Sequence, residues 1–302
     1  MSDEINPSLD QLAAQRCMRL RRDASPWLNE EIAQRMHARL SWMAQPPKRW
    51  AHWMPHWGGL RSHDSLKDML AQANGRAKVH TYLAGPEPVD ATSPGVGSSW
   101  LRSAWQALRR VDARWQHGDE PLDMVWANMA LHMQAQPLPL LMQWLSMLRV
   151  DGMVMFSALG PDTLRELREV YAHMGWDQPT HLFTDMHDWG DMLVQCGFAD
   201  PVMDMETLTI TYATLDTLLR DLRECGRNLN VQRAQHCFGR GWEQTLRAAL
   251  EQHLPRNSDG HFVLSVEIIY GHALRAQPKV LVQAQTSVPL ADMQRMLRKP
   301  KT

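Results

Sequence analysis

The sequence predicts an α/β protein, in which a mostly parallel sheet is covered by helices on both faces. Three observations carry this expectation. Short apolar runs alternate with longer stretches of helical periodicity from residue 46 to about 275. One run, Met153-Val154-Met155-Phe156-Ser157, is apolar throughout, as a strand buried on both sheet faces must be. The spacing of the last two strands admits one antiparallel member.

The elements follow in order. Ser25-Pro26 opens a helix, with serine as N-cap, proline at the first helical position and Glu30 and Glu31 in the opening turn. Trp27, Leu28, Ile32, Met36, Leu40 and Met43 recur on one face until Pro46-Pro47. Residues 49–54 form the first strand and lead into Trp57-Gly58-Gly59. A helix at 65–73 and a strand at 79–83 come next, closed by Gly85-Pro86-Glu87-Pro88. Residues 85–99, rich in Pro, Gly and Ser, are loop. The apolar stripe from Leu101 to Trp115, with arginines opposite, marks an amphipathic helix.

Residues 123–127 form a strand, and 138–148 a strongly apolar helix. Val150-Asp151-Gly152 reads as a turn before the strand at 153–157. Asp162 is the expected cap of a helix carrying Leu164, Leu167 and Val170. Asp188 opens another, which stops at Gly197. A strand through 203–212 precedes a helix at 215–225, capped by Thr214 and ended by Gly226. Residues 242–250 are helical, and Phe262, Leu264, Val266, Ile268 and Tyr270 alternate along a strand from 261 to about 274. The expected organisation is a helical arm over 1–45, an α/β domain over 46–275 with a helical insertion at about 214–255, and a tail over 276–302.

Composition narrows the function. Among 302 residues, 32 Lys and Arg nearly balance 33 Asp and Glu, so no net field draws the chain to nucleic acid or an anionic membrane. No apolar run is long enough to span a bilayer, and the polar start, Met1 to Pro7, lacks the apolar core of a signal peptide. Cys17, Cys196, Cys225 and Cys237 form no C-x-x-C pair and read as reduced thiols of a cytoplasmic protein. His52 and His56 have the spacing of a helical zinc pair, but Pro55 argues against the helix and no Cys/His cluster completes it. No metal is expected.

In a sheet of this kind ligands bind beyond the carboxyl ends of the strands. Those positions include Trp57-Gly58-Gly59, Gly85-Pro86-Glu87, the stretch 128–133 and the stretch 157–162. Two phrases lie there: Asp123-Met124-Val125-Trp126-Ala127-Asn128-Met129-Ala130-Leu131-His132 and Phe156-Ser157-Ala158-Leu159-Gly160-Pro161-Asp162-Thr163-Leu164. With residues 185–194 and 197–204, they resemble the malonyl-carrier-protein O-methyltransferases of biotin synthesis over about half of the chain.

The resemblance implies a Rossmann-like class I methyltransferase fold with an antiparallel last strand. It also implies S-adenosylmethionine as cofactor and, as partner, acyl carrier protein bearing a malonyl group. By the family's pattern Gly58 and Gly59 approach the cofactor, Glu87 holds its ribose hydroxyls, and Asn128 and Met129 meet its methionine end; a loop acid without a role is the other reading of Glu87, and turn chemistry that of Asn128. The family's glycine loop begins with an acid and carries three glycines, whereas residues 51–59 contain two glycines and no acid. The family's N-terminal Phe-x-Arg-Ala-x-x-x-Tyr-Asp falls at 15–23, where only Asp23 matches and Arg22 replaces the tyrosine. A carboxylate acceptor is already anionic, so the reaction needs no general base and singles out no catalytic residue. Tyr212, Arg227 and Tyr270 are the polar candidates for holding the malonyl carboxylate, with a structural role as the other reading of each. A protein of this fold that binds or regulates without cofactor turnover, and a different enzyme on the same scaffold, remain as alternatives.

Overall fold

The computed structural model describes residues 8–20, 22–40, 45–75, 77–86, 112–233 and 239–277. Its strands are β1 (Arg49–Trp53), β2 (His80–Ala84), β3 (Ala113–Arg114), β4 (Leu122–Ala127), β5 (Leu148–Leu159), β6 (Phe198–Tyr212) and β7 (Phe262–Arg275). They form one sheet in the order β3-β2-β1-β4-β5-β7-β6. Pairing is parallel from β3 across to β5, and β7 runs antiparallel to both neighbours. This is the Rossmann-like class I methyltransferase arrangement expected from the sequence, with the last strand reversed.

The strand residues alternate between two apolar faces, because successive side chains leave a strand on opposite sides. Trp50, Met124, Trp126 and Met155 pack on one face with Ile32, Met36 and Leu66. Ala51, Trp53, Val125, Val154 and Phe156 pack on the other with Trp144, Trp189 and Leu193. The helices that supply these partners are α1 (Gln11–Arg19), α2 (Trp27–Arg39), the single turn α3 (Pro55–Gly58), α4 (Leu60–Ala73), α5 (Pro137–Met147), α6 (Arg165–His173) and α7 (Met186–Cys196). A third apolar cluster joins α6, α8 (Leu215–Glu224) and α9 (Arg240–His253) to Tyr212, Phe262 and Leu264 at one end of β6 and β7. Five indoles, those of Trp50, Trp57, Trp126, Trp144 and Trp189, are almost wholly buried, which accounts for much of the tryptophan content as core.

Several local expectations are corrected. Pro26, not Ser25, is the N-cap of α2, and α2 ends at Arg39. The helix expected at 65–73 begins at Leu60. Residues 87–111, with Glu87, lie outside the described residues, but 112–115 are not helical. Ala113 and Arg114 pair with Tyr82 and Leu83 as an edge strand. Val150-Asp151-Gly152 does not end a strand. It is a bulge within β5, where pairing jumps from Leu122–Leu148 to Met124–Met153 and Asp151 takes φ 61°. Gly152 is needed there, since a Cβ would lie 2.8 Å from the carbonyls of both Leu122 and Arg149. Asp185 rather than Asp188 caps α7 through His187 N–H, while Gly197 ends it at φ 96° and Thr214 caps α8 as expected.

Asp162 does not cap α6 either; that helix follows Leu164 at φ 55° without a side-chain cap. The stretch 160–166 is instead a clip onto β7. Asp162 N–H donates to the Glu267 carboxylate (2.6 Å), Leu164 N–H to Ser265 O (2.7 Å), and Thr163 Oγ1 to Glu267 O (3.0 Å). The Glu166 carboxylate accepts from Ser265 N–H and Oγ–H. Gly160 has no room for a side chain, because a Cβ would sit 2.6 Å from the Glu267 carboxyl carbon. Gly160→Ala should therefore displace Glu267 and cost about 1–3 kcal/mol in stability. Urea unfolding of the purified variant checks this, and an unshifted midpoint contradicts the clip.

Candidate active site

Beyond the carboxyl end of β1 the chain turns at Met54 (φ 50°), makes the turn α3, and enters α4 through Gly59 (φ 136°). Residues of α2, read from sequence as an ordinary opening turn, hold this loop. Asn29 Nδ2 donates to Trp57 O (2.8 Å), and the Glu30 carboxylate accepts the N–H groups of Arg61 and Ser62 (3.0 and 2.9 Å). Ser25 Oγ accepts from Leu60 N–H (2.9 Å) and faces the Pro55 and His56 carbonyls (3.2 Å). The free N–H groups at the start of α4, the usual anion site of such folds, thus already have a carboxylate.

The loop after β4 closes against the same corner. Asn128 is fully buried; its Nδ2 donates to Asn29 O (2.7 Å) and Gly58 O, and its Oδ1 accepts from Ser157 Oγ (2.6 Å). Met129 takes φ 57°, its N–H donates to Ser157 Oγ, and its carbonyl accepts from Trp57 Nε1 (2.8 Å). A Cβ on Gly58 would lie 2.9 Å from Asn128 O, and one on Gly85 would lie 2.8 Å from Met54 Cγ. Arg22, in the place of the family's tyrosine, sits 5.4 Å from the centroid of the Trp57 ring. Gly58, Gly59, Asn128 and Met129 are thus brought together as the resemblance implies, but the described residues fill the space between β1 and β4. As it stands this corner does not fit the nucleoside cofactor. Glu87 lies outside the described residues.

A cavity of about 670 Å³ opens beyond β4 and β5. Leu159, Leu164, Ile210, Leu264 and Val266 make its apolar floor, and Trp27, Tyr171, Trp176, Tyr212 and Trp242 stand around it. Three guanidinium groups, Arg223, Arg227 and Arg233, also line it. Arg233 is engaged by Asp10 (2.7 Å) and Asn230 O (2.7 Å). Arg227, held at φ 62°, donates its backbone N–H to Leu222 O (3.3 Å), and its guanidinium has no hydrogen-bond or ion-pair partner among the described residues. Burial and the Asp221 carboxylate raise the Tyr212 phenol well above its ordinary value, so it is a neutral wall. His132 and His181 also border the cavity, His181 Nε2 against His132 O at 3.2 Å. Burial pulls His132 down to about 3 and His181 down to about 4, so both are uncharged at neutral pH.

Tyr270 is not part of this cavity. Its hydroxyl donates to Glu206 (2.5 Å) and the Arg39 guanidinium stacks 3.7 Å from its ring. With Arg39–Asp204 (2.6 Å) and Arg35–Glu206 (3.2 Å), it ties α2 to β6. Tyr212 and Arg227 share the cavity and Tyr270 lies apart.

Of the two histidines singled out from the sequence, His52 meets His63 of α4. His63 Nε2–H donates to Asp112 (2.9 Å), which leaves His63 Nδ1 to accept from His52 Nδ1–H (3.2 Å). Lys67 completes the group at Asp112 (2.5 Å). Burial first, then His63, holds His52 well below its ordinary value. His56 turns away to Met18 O (2.9 Å). Among the described residues no three His, Cys, Asp or Glu side chains are placed to hold a metal. Cys17, Cys196 and Cys225 are free thiols, and burial pushes Cys225 up to about 12.

No family model matches the chain. Among curated proteins it is 35% identical over 269 residues to a malonyl-[acyl-carrier protein] O-methyltransferase of Gallionella capsiferriformans, covering 85% of this chain and 87% of that protein. The namesake of Halorhodospira halophila is 30% identical over 278 residues, covering 89% and 90%. Among solved structures the chain is similar to the YcgJ protein of Bacillus subtilis, with a TM-score of 0.46, 14% identity, and 81% of this chain and 100% of that one covered.

Proposed function

The chain belongs to the malonyl-[acyl-carrier protein] O-methyltransferase family, and from that membership we propose that it methylates the free carboxylate of a malonyl thioester. In this reading the thioester is carried on acyl carrier protein, the donor is S-adenosylmethionine, and the ester serves biotin synthesis in the cytoplasm. Kinship over nearly the full length of the relatives supports the reading. The chain has no helix, among the described residues, long and apolar enough to cross a membrane.

The acceptor side can be derived from the cavity beyond β4 and β5. A malonyl carboxylate is anionic at neutral pH, so it needs a counter-charge and exclusion of water rather than a base. Arg227 supplies an uncommitted guanidinium, whose planar fork suits a carboxylate. The aromatic and aliphatic walls cover the inner side of the site, Arg227 stands at its exposed mouth, and the neutral His132 and His181 add no cation to compete for the anion. Arm residues Trp27 and Leu28 and insertion residues Leu219, Leu222 and Leu246 line the same space. We read these described parts of the arm and of the insertion as its outer walls. No step is assigned through the donor, because the corner between β1 and β4 does not fit it as it stands.

The test uses the full chain with malonyl-acyl carrier protein and S-adenosylmethionine, with mass spectrometry of the carrier. A methyl ester on the carrier-bound malonyl group is expected; none from the wild type overturns the reading. Arg227→Gln should lower kcat/KM by roughly tenfold to a hundredfold, the equivalent of a charge-assisted hydrogen bond of about 1.5–3 kcal/mol. An undiminished rate removes Arg227 from the site.

A further inference from the structure

The misfit between β1 and β4 is concentrated in one side chain. Trp57 is 1% exposed, and its indole N–H reaches Met129 O at 2.8 Å, so it spans the gap between the two loops. It stands on α3, a single turn bounded by Met54 (φ 50°) and Gly59 (φ 136°). Its partner Met129 also has left-handed backbone (φ 57°). Two non-glycine residues are therefore held in a sparsely populated conformation, one on each side of a single hydrogen bond. Such strain persists only where surrounding contacts impose it, and it marks a segment with an alternative arrangement. Helix α2 is not that segment, because Ile32, Ala33 and Met36 are wholly buried in the core. The turn α3 is a better pivot: the N–H groups of Trp57, Gly58 and Gly59 bond to Met54 O and Pro55 O within the turn itself, and its carbonyls are held from outside by the side chains of Ser25, Asn29 and Asn128. The turn can move as a unit once its outer contacts are exchanged.

We propose that α3 is a plug, in which Trp57 fills the donor's place between β1 and β4 and swings out about Met54 and Gly59 when the donor enters. The proposal rests on the methyltransferase reading above. Opening frees the Met129 carbonyl, an acceptor suited to the ammonium end of a sulfonium amino acid. It also exposes a buried indole, so donor binding to the wild type works against the plug.

The probe is S-adenosylhomocysteine, titrated by calorimetry into the wild-type protein, Trp57→Phe and Trp57→Ala. Hydrogen exchange of the Trp57 indole N–H is followed by NMR with and without the probe. Trp57→Ala is expected to bind at least about tenfold tighter than wild type, with Trp57→Phe between them. In the wild type the Trp57 indole N–H, which gives up Met129 O when the plug opens, should exchange faster with the probe bound, whereas a ligand that merely stabilises the fold slows it. Equal or weaker binding by a folded Trp57→Phe, or slowed exchange of that indole N–H, overturns the plug and leaves the methyltransferase reading standing. Absence of binding by every form at millimolar probe overturns both. The exchange measurement needs no variant, so it decides the matter even where Trp57→Ala fails to fold.

Discussion

Replacing Asn128 with alanine is expected to lower the unfolding free energy by about 3–5 kcal/mol, the range of a broken buried polar network. Asn128 is fully buried, and its amide joins three separate segments: Asn29 on α2, Gly58 on α3, and Ser157 on β5. Alanine strands the Gly58 carbonyl, removes the side-chain donor that the helical Asn29 carbonyl has besides its own helix, and leaves Ser157 Oγ with only Met129 N–H (3.0 Å). None of these groups can reach water without opening the corner. Asn128→Asp should be no better, because it turns a donor facing two carbonyls into a third acceptor. Denaturant titrations of the two variants check this; a loss below about 1 kcal/mol for both would show that the corner relaxes easily.

The second large effect is acid destabilisation in the range from about pH 6.5 to about pH 4. His37 is pulled down to about 4 by burial, joining His132 at about 3 and His181 at about 4. In the unfolded chain each titrates near 6.5. Between that value and the folded one, the unfolded state binds a proton that the native state refuses. Stability therefore rises with pH across the window and is lost as pH falls through it, by up to about 1.4 kcal/mol per group per pH unit. The carboxylates of Asp123 and Glu166 do not start this loss: their hydrogen bonds outweigh desolvation and lower both, so their contribution is lost only as pH falls below the ordinary carboxylate range. Thermal melts at pH 7, 6 and 5 should show a progressive fall in Tm. A flat profile would mean that these imidazoles are solvated or paired.

The sheet was legible because its strands had to be apolar on both faces, and runs such as Met153–Ser157 leave little else to be read from them. What could not be read locally was determined by contacts far along the chain. The acids of the opening turn of α2 looked like partners for that helix's own dipole, yet Glu30 caps α4. Gly160, Asp162 and Thr163 sat in the most distinctive phrase of the sequence and in a loop where ligands bind. Their partners on β7, about a hundred residues away, make them a fastening. Tyr212 and Tyr270 were indistinguishable as candidates, because alternation puts both on the same face of the sheet. Their places along the strands separate them: Tyr212 pairs with Phe262 at one end of β7, whereas Tyr270 pairs with Asp204 far from it. Trp57 belonged to the glycine-poor loop from the start, but its reach to Met129 O, across to the loop after β4, could not be read from the sequence.

The position of β7 governs how this protein is made. It is the last strand among the described residues, yet it lies between β5 and β6 and pairs with both. While the chain is emerging from the ribosome, β5 has its apolar length finished but one edge open, and β6 has no neighbour at all. Folding therefore waits for residues 262–275, and the nascent chain carries two sticky edges through much of its synthesis. A message broken shortly before that segment would yield a product fit for aggregation or proteolysis rather than a smaller working protein.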